Sequence, residues 1–437
     1  MTPGPDGFPV PIWKHLIPEL PQVCRKVTLA LPCIGANALG MGLKELDWKA
    51  VEIAYAWDVD PSLLPFLIAA HGPIGLGGPA SGIGWGGDIL AFDVASMARV
   101  DFLVSGPPCP PFSSIGARGA HLDIREKVFK KVTEMIKHQG ELGCYGFIVE
   151  MVPGIAHTSH RPRENSTSWG PSNYYEEWRR SLQHLAPMFR LHVWELQTSA
   201  YLPQNRARLY TVGVHRAYCP PHGIAAPVPL GRPLGITELL HKALPPITED
   251  TLTPQQRMNL LIVKQRLLPG FIGRGGPVAC ISVDRDPYAS FGECTRVDGL
   301  VSTLRTQNEL TWLFQADACG RTVLSRCVHP AERFSLQGFR PGIAFFFSKA
   351  DGIRISGNAF SVPVVTHVFR QLLLCFLSAG QLGFPDIPRA VHRPREPSEL
   401  AAMSLKRARA LNLEKDRYAI LERQVELLKR RRLKVGN

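Results

Sequence analysis

Asp101 to Gly116 reads DFLVSGPPCPPFSSIG, and the rest of the chain is organised around it. An apolar run ends at Ser105, and Gly106-Pro107-Pro108 then imposes a stiff turn, because proline fixes its own φ and restricts the residue before it. A strand ending this way presents Cys109 at its carboxyl end, where open α/β sheets bind ligands. A free cysteine is commonly a small buried hydrophobe. Here prolines flank it and Ser and Gly follow, and such a loop is hard to place in a core. Cys109 is therefore a candidate nucleophile.

Outward from this segment, short apolar runs alternate with helix-like stretches. Val27 to Leu31, Val51 to Trp57, Asp101 to Gly106, Gly146 to Val152, Leu191 to Leu196 and Arg208 to Val214 read as strands. Leu63–Ala70, Leu122–His138 and Tyr174–Ala186 read as helices between them. Near-continuous apolar strands alternating with helices predict an α/β fold with a doubly wound, mostly parallel sheet. Residues 72–87 hold eight glycines but no following Lys-Ser/Thr, so they form a loop and no Walker motif.

The alternation fades from about His215 to Leu324. PPHGIAAPVPLGRPLG (220–235) reads as a connector, and one helix, Pro254 to Leu268, follows with several short strand-like pieces. A second, smaller, irregular domain is expected there. Val368 to Leu377 reads as a buried helix. Leu411, Tyr418, Leu421, Val425 and Leu428 are spaced 7, 3, 4 and 3, too short a run for a coiled coil, so the tail reads as a solvated basic helix. These shifts divide the chain into an N-terminal extension (1–25), a catalytic unit (26–214), an inserted unit (215–325), a return to the first unit (326–388) and a basic tail (389–437).

The 437 residues are 45% hydrophobic and 20% charged, an ordinary globular balance. No run of 18 apolar residues occurs, and the N-terminus lacks a basic region followed by an apolar core. No membrane partner and no secretion are expected. The ten cysteines lack the paired spacing of a metal site or the density of a disulfide scaffold, which predicts reduced thiols and no metal. The net charge of +13 points to a polyanionic partner, nucleic acid before membrane. The tail from Arg389 carries 14 basic and 6 acidic residues, so most of that excess sits in its last 49 residues.

Two further segments carry chemistry. In GFIVEMVPG, Glu150 ends an otherwise apolar strand, either as a salt-bridged carboxylate or as an acid beside Cys109. In PQNRARLYTVG, Gln204, Arg206 and Arg208 alternate, which places them on one face of an extended segment. The plain alternative is an edge strand decorated with charge.

Together these segments resemble the cytosine-5 DNA methyltransferase family, from roughly Val27 to Leu377. LPCIGANALGMGL is similar to the family's cofactor loop, Asp58 and Asp60 to its acidic pair, and Gly87-Asp88-Ile89 to its Gly-Asp-Ile. GPPCPPFS resembles the Pro-Cys loop, Glu150-Met151-Val152 the Glu-Asn-Val, and QNRAR the Gln-x-Arg-x-Arg. RCVHPAERFSLQGF and GNAFSVPV resemble the family's last two segments, and the eight occur in the family's order.

The resemblance implies a class I methyltransferase, Rossmann-like catalytic domain and a target-recognition domain at 215–325. It implies S-adenosyl-L-methionine as cofactor and double-stranded DNA, with the target base flipped out, as partner. Cys109 would add to carbon 6 of cytosine, Glu150 would bind ring nitrogen 3, Arg208 would steady the carbonyl, and Arg206 would support the loop or a phosphate. Leu31, Gly35, Asp58, Asp88, Pro108 and Asn358 would contact the cofactor. The sequence departs from the pattern at Leu31, Cys33, Pro110 and Met151. A tRNA-methylating member is the alternative within the family, but its Cys-Phe-Thr is absent and only Glu293-Cys294-Thr295 occurs. A catalytically weak DNA-binding regulator is the alternative outside catalysis. A nuclear location is expected in a eukaryote, from LLKRRRLK, and a cytoplasmic one otherwise.

Overall fold

The computed structural model describes residues 12–23, 25–71, 74–75, 83–85, 87–108, 124–157, 174–241, 244, 248–273, 275–288, 294–306 and 310–377. The expected basic tail and Cys109 lie outside these residues.

In chain order the larger unit holds β1 (Val27–Pro32), α1 (Ala38–Glu45), β2 (Val51–Trp57), α2 (Leu64–His71), β3 (Ile74–Gly75), β4 (Ile83–Trp85) and β5 (Phe102–Ser105). It continues with α3 (Ile124–Glu141), β6 (Gly146–Met151), α4 (Gly154–His157), α5 (Tyr174–Leu185), β7 (Phe189–Gln197), β8 (Gln204–Asn205), β9 (Ala207–His215) and α6 (Ile236–Leu239). The smaller unit holds α7 (Pro254–Phe271), β10 (Ala279–Ser282), β11 (Thr295–Arg296), β12 (Val301–Ser302), β13 (Thr311–Ala316) and β14 (Thr322–Cys327). The chain then returns through α8 (Pro330–Ser335), α9 (Lys349–Asn358) and α10 (Val362–Leu377).

The main sheet has eight strands in the order β3-β4-β2-β1-β5-β6-β9-β7. All neighbours are parallel except at β9, which runs against β6 and β7. The strands are apolar on both faces because both faces are covered. Leu29, Leu31, Phe102, Val104 and Ile148 pack into one core with α1, α10 and the N-terminal segment. The alternate residues Ala30, Leu103, Phe147 and Val149 pack into a second core with α3 and α5. Burying one such large side chain contributes about 1.5–3 kcal/mol, and removal of Phe102 would leave a cavity in the first core.

The N-terminal segment is part of this body. Trp13 is 1% exposed and donates to the Gly338 carbonyl at 2.7 Å, and Leu16 is fully buried. The connector behaves likewise, since Leu234, Ile236 and Leu239 join the first core. The smaller unit has its own four-stranded sheet, β11-β10-β13-β14, and its own core of Leu260, Val263, Phe271, Ile281, Trp312 and Phe314. Thr253 caps α7 reciprocally with Gln256, which fixes where that helix starts. A two-stranded parallel pair, β12 on β8, joins the units. Within the helical stretch 349–376 an apolar segment of 18 residues is 78% buried inside the fold, as suits a core helix.

Candidate active site

β1, β2, β5 and β6 are parallel, so their carboxyl ends share one edge of the sheet. β2 lies to one side of β1 and β5 to the other, and this reversal of strand order opens a crevice at that edge. Four sequence candidates converge there: the Gly35 turn after β1, Asp58 after β2, Pro108 after β5 and Glu150 at the end of β6. β9 is antiparallel, so its start reaches the same edge, with Tyr210 opposite Glu150 and Leu209 opposite Met151. This brings Arg208 within 2.9 Å of the Glu150 carboxylate, Nε to Oε1.

Glu150 is 7% exposed. Burial pushes its carboxyl above the ordinary range, and the Arg208 and Arg206 guanidiniums pull it partly back. A carboxyl whose proton affinity is raised by burial suits giving a proton or a hydrogen bond to a base.

Arg206 has a different role from the one its alternation with Arg208 suggested. The chain leaves β8 at Asn205 and enters β9 at Ala207, so no continuous strand carries all three QNRAR side chains. Arg206 is 2% exposed and donates to the Gly357 carbonyl at 3.1 Å and the Ala359 carbonyl at 2.9 Å, closing the end of α9. It is a brace for the GNAF turn. The edge-strand alternative also fails, since β9 lies between β6 and β7. Gln204 is fully buried, and neither of its amide atoms has a partner among the described residues.

On the other side of the crevice, Asp58 accepts the Gly35 N–H at 2.9 Å and the Asp60 N–H at 3.0 Å, one on each oxygen. It thus ties the turns after β1 and β2 together. Burial raises the Asp58 carboxyl, while the Asp60 and Gly35 N–H groups lower it. Gly35 sits at φ +51°, with nothing within 4 Å of where a Cβ would project. Asp88 is exposed and caps the short helical turn Ile89–Ala91 through Leu90 N–H at 2.9 Å. Leu31 is 3% exposed, and its side chain lies in the first core. Asn358, the last residue of α9, is exposed.

Gly106 leads into the Pro-Cys loop, and a Cβ there would meet the Phe360 ring at 2.2 Å. The GNAF segment therefore packs directly on the start of that loop. Cys33 adopts φ +56°, a conformation that favours glycine. The left-handed region costs a side-chain-bearing residue about 1–2 kcal/mol, and glycine's extra freedom in the unfolded chain costs roughly 0.5–1. Cys33→Gly is expected to raise the unfolding free energy by about 0.5–1 kcal/mol in urea denaturation.

A profile described as C-5 cytosine-specific DNA methylase matches residues 34–374. The chain belongs to the C-5 cytosine-specific DNA methylase family. It is 21% identical over 288 residues to the Type II methyltransferase M.SsoII of Shigella sonnei, covering 66% of this chain and 67% of that protein. It is 24% identical over 302 residues to the Type II methyltransferase M.MspI of Moraxella sp, covering 68% of this chain and 61% of that protein. The fold is similar to the solved structure of a Spodoptera frugiperda DNMT2 mutant, with a TM-score of 0.50 and 14% identity over 80% of this chain and all of that one. The eight-stranded body is thus the class I methyltransferase fold of this family. Sequence reading missed Arg354 on α9, whose ion pair with Asp60 reaches the turn after β2. Nothing in ADGIRISGN singles it out, because the contact spans 294 positions. Among the described residues no group of three or more His, Cys, Asp or Glu is arranged to hold a metal.

Proposed function

We propose that the protein is an S-adenosyl-L-methionine-dependent DNA cytosine-5 methyltransferase acting on a flipped cytosine through Cys109. The observation that carries this reading is the buried Glu150 carboxyl paired with the half-buried Arg208 at the sheet edge where the Pro-Cys loop begins. A buried carboxyl and a forked cation side by side match the ring nitrogen and carbonyl of cytosine. The base must leave the duplex to reach them, because its ring faces are stacked.

The chemistry asks one task of each group. Carbon 5 of cytosine is a poor nucleophile. Addition of the Cys109 thiolate to carbon 6 makes carbon 5 electron-rich, and cysteine suits this because a few per cent is already thiolate near pH 7. Glu150 delivers a proton or hydrogen bond to ring nitrogen 3 as charge builds there. When bound, S-adenosyl-L-methionine supplies the activated methyl group. Transfer of the carbon 5 proton to a water molecule as base, with ring nitrogen 3 returning its proton to Glu150, would then expel the thiolate and restore the ring.

The crevice fits that cofactor. Each Asp58 oxygen has accepted one N–H and keeps capacity for a ribose hydroxyl. The open Gly35 turn leaves room against the backbone, and the second Asp88 oxygen is open to an adenine amine among the described residues. Asp58→Ala and Asp88→Ala each remove a charge-assisted hydrogen bond. Each is expected to weaken cofactor binding by about 1.5–3 kcal/mol in calorimetry. Unchanged affinity in both would move the cofactor elsewhere.

The direct test of the reading is methyl transfer from radiolabelled cofactor to DNA and to tRNA, run in parallel. Label entering DNA, with a covalent adduct on 5-fluorocytosine DNA, is the expected result. Label entering tRNA alone would make the substrate RNA, and no label in either would make the protein a binding regulator.

The smaller unit at the crevice's side is the proposed reader of flanking bases, and the tail supplies affinity without chemistry. A helix turns one face to a duplex, so about three or four of the 14 basic tail residues can engage at once. Truncation at Pro388 is expected to flatten the log–log salt slope of DNA binding by about 3, with turnover at saturating DNA unchanged. A lower melting temperature with an unchanged slope would make the tail structural.

A further inference from the structure

Arg354 lies on α9, at the edge of the crevice and outside the motifs. It forms an ion pair with Asp60, donates to the Ser62 hydroxyl at 3.2 Å and pairs with Asp351 of its own helix at 2.9 Å. Asp60 in turn accepts the Ser62 N–H at 3.1 Å and the Ser62 hydroxyl at 2.7 Å, while its own N–H donates to Asp58. The turn from Asp58 to Ser62 is therefore knit internally, and Arg354 is its tie to a helix almost three hundred residues away. One turn further along, the C-terminal end of α9 is held by Arg206 through the Gly357 and Ala359 carbonyls. Two residues beyond Arg206 stands Arg208, paired with Glu150. Arg354 and Gly357 are three residues apart on α9, about 4.5 Å of rise, so a single helical turn separates the contact to the turn that carries Asp58 from the contact to the segment that leads into Arg208.

We propose that Arg354 is a positioning residue for the cofactor: by holding Asp60 it fixes the turn that presents the Asp58 carboxylate, and α9 links that turn to the target-base side of the crevice. The inference rests on the reading of Asp58 as the cofactor's ribose carboxylate. An exposed ion pair contributes little by itself. This one differs because the Asp60 side chain is 16% exposed, is fixed by two further hydrogen bonds, and Asp60 is bonded through its backbone to the half-buried Asp58 carboxylate. The Arg354 charge also favours the ionised form of Asp58, the form that accepts two hydroxyls.

The test uses the full chain and its Arg354→Ala, Arg354→Lys and Asp351→Ala variants, with S-adenosylmethionine affinity by calorimetry and separate Michaelis constants for cofactor and DNA. Arg354→Ala is expected to raise the cofactor dissociation and Michaelis constants by roughly five- to tenfold, with the constant for DNA unchanged. Arg354→Lys, which keeps the charge but not the fork, is expected to recover part of the loss. Asp351→Ala spares the Asp60 contact and is expected to stay within twofold of wild type. Equal affinity of wild type and Arg354→Ala would overturn the proposal and leave the cofactor reading intact. So would equal losses in Arg354→Ala and Asp351→Ala, since helix integrity would then be the cause. If Arg354→Ala does not fold, Asp60→Asn replaces it and carries the same expectation. A wild type that binds no S-adenosylmethionine overturns both this inference and the cofactor reading, and is recognised because the variants are then not needed.

Discussion

Cys109→Ala is expected to cut methyl transfer to DNA by roughly 10⁴-fold or more while leaving DNA affinity within a few fold. In the mechanism proposed above the thiolate is the one group that bonds to the base, and without it carbon 5 would have no electron density with which to take the methyl. On the same proposal Glu150 and Arg208 would still hold a flipped cytosine, so gel-shift binding should persist. The loss should fall on the turnover number, because the interaction removed exists only along the reaction path. The covalent adduct with 5-fluorocytosine DNA should vanish in the same variant, since fluorine on carbon 5 traps only an enzyme that has already added to carbon 6. Methyl transfer near the wild-type rate in Cys109→Ala would remove Cys109 from the chemistry and leave the family's fold with a different mechanism.

Glu150→Gln is expected to lower turnover by about 10²–10⁴-fold, the range for loss of a positioned acid. The amide keeps the shape and one hydrogen bond but can neither give a proton to ring nitrogen 3 nor balance Arg208. The same variant should change how stability responds to pH. Burial raises the Glu150 carboxyl above its ordinary 4.5, so the folded chain holds this proton more tightly than the unfolded one. The stability from that bound proton is fully present below 4.5 and is lost as pH rises through the higher folded-state value. Glu150→Gln should remove that slope in denaturant titrations carried upward from pH 4.5, while other carboxylates keep theirs. An unchanged slope would mean that Arg208 cancels the burial.

The two experiments divide the crevice between them, one reporting on bond formation and the other on charge. The cofactor-side variants report on a third function. Separate losses at Cys109, Glu150 and Asp58 would mark one site with three tasks. An Asp58 variant that alters only stability would instead make that carboxylate a structural tie between the turns after β1 and β2, a part its two backbone hydrogen bonds already play.

Much of this was legible in the sequence because the information is local. Val27–Leu31, Val51–Trp57 and Gly146–Val152 are apolar without alternation, which only a sheet covered on both faces explains, and both cores are present. The turn chemistry of Gly106-Pro107-Pro108, and the placing of Asp58 and Glu150 at strand ends, likewise follow from residues within a few positions. Tertiary structure decided what depends on distant partners. QNRAR gives Arg206 and Arg208 the same local pattern, yet one closes the end of α9 and the other meets Glu150. That division arises because the chain breaks between β8 and β9, and because β9 runs antiparallel between β6 and β7. Trp13 falls in the N-terminal extension, where no local signal marks it as core, and its ring is buried with its N–H on the Gly338 carbonyl. The tie between Asp60 and Arg354 has no local signature at all. An ion pair is set by where two side chains end up in space, and only the packing of α9 brings those two together.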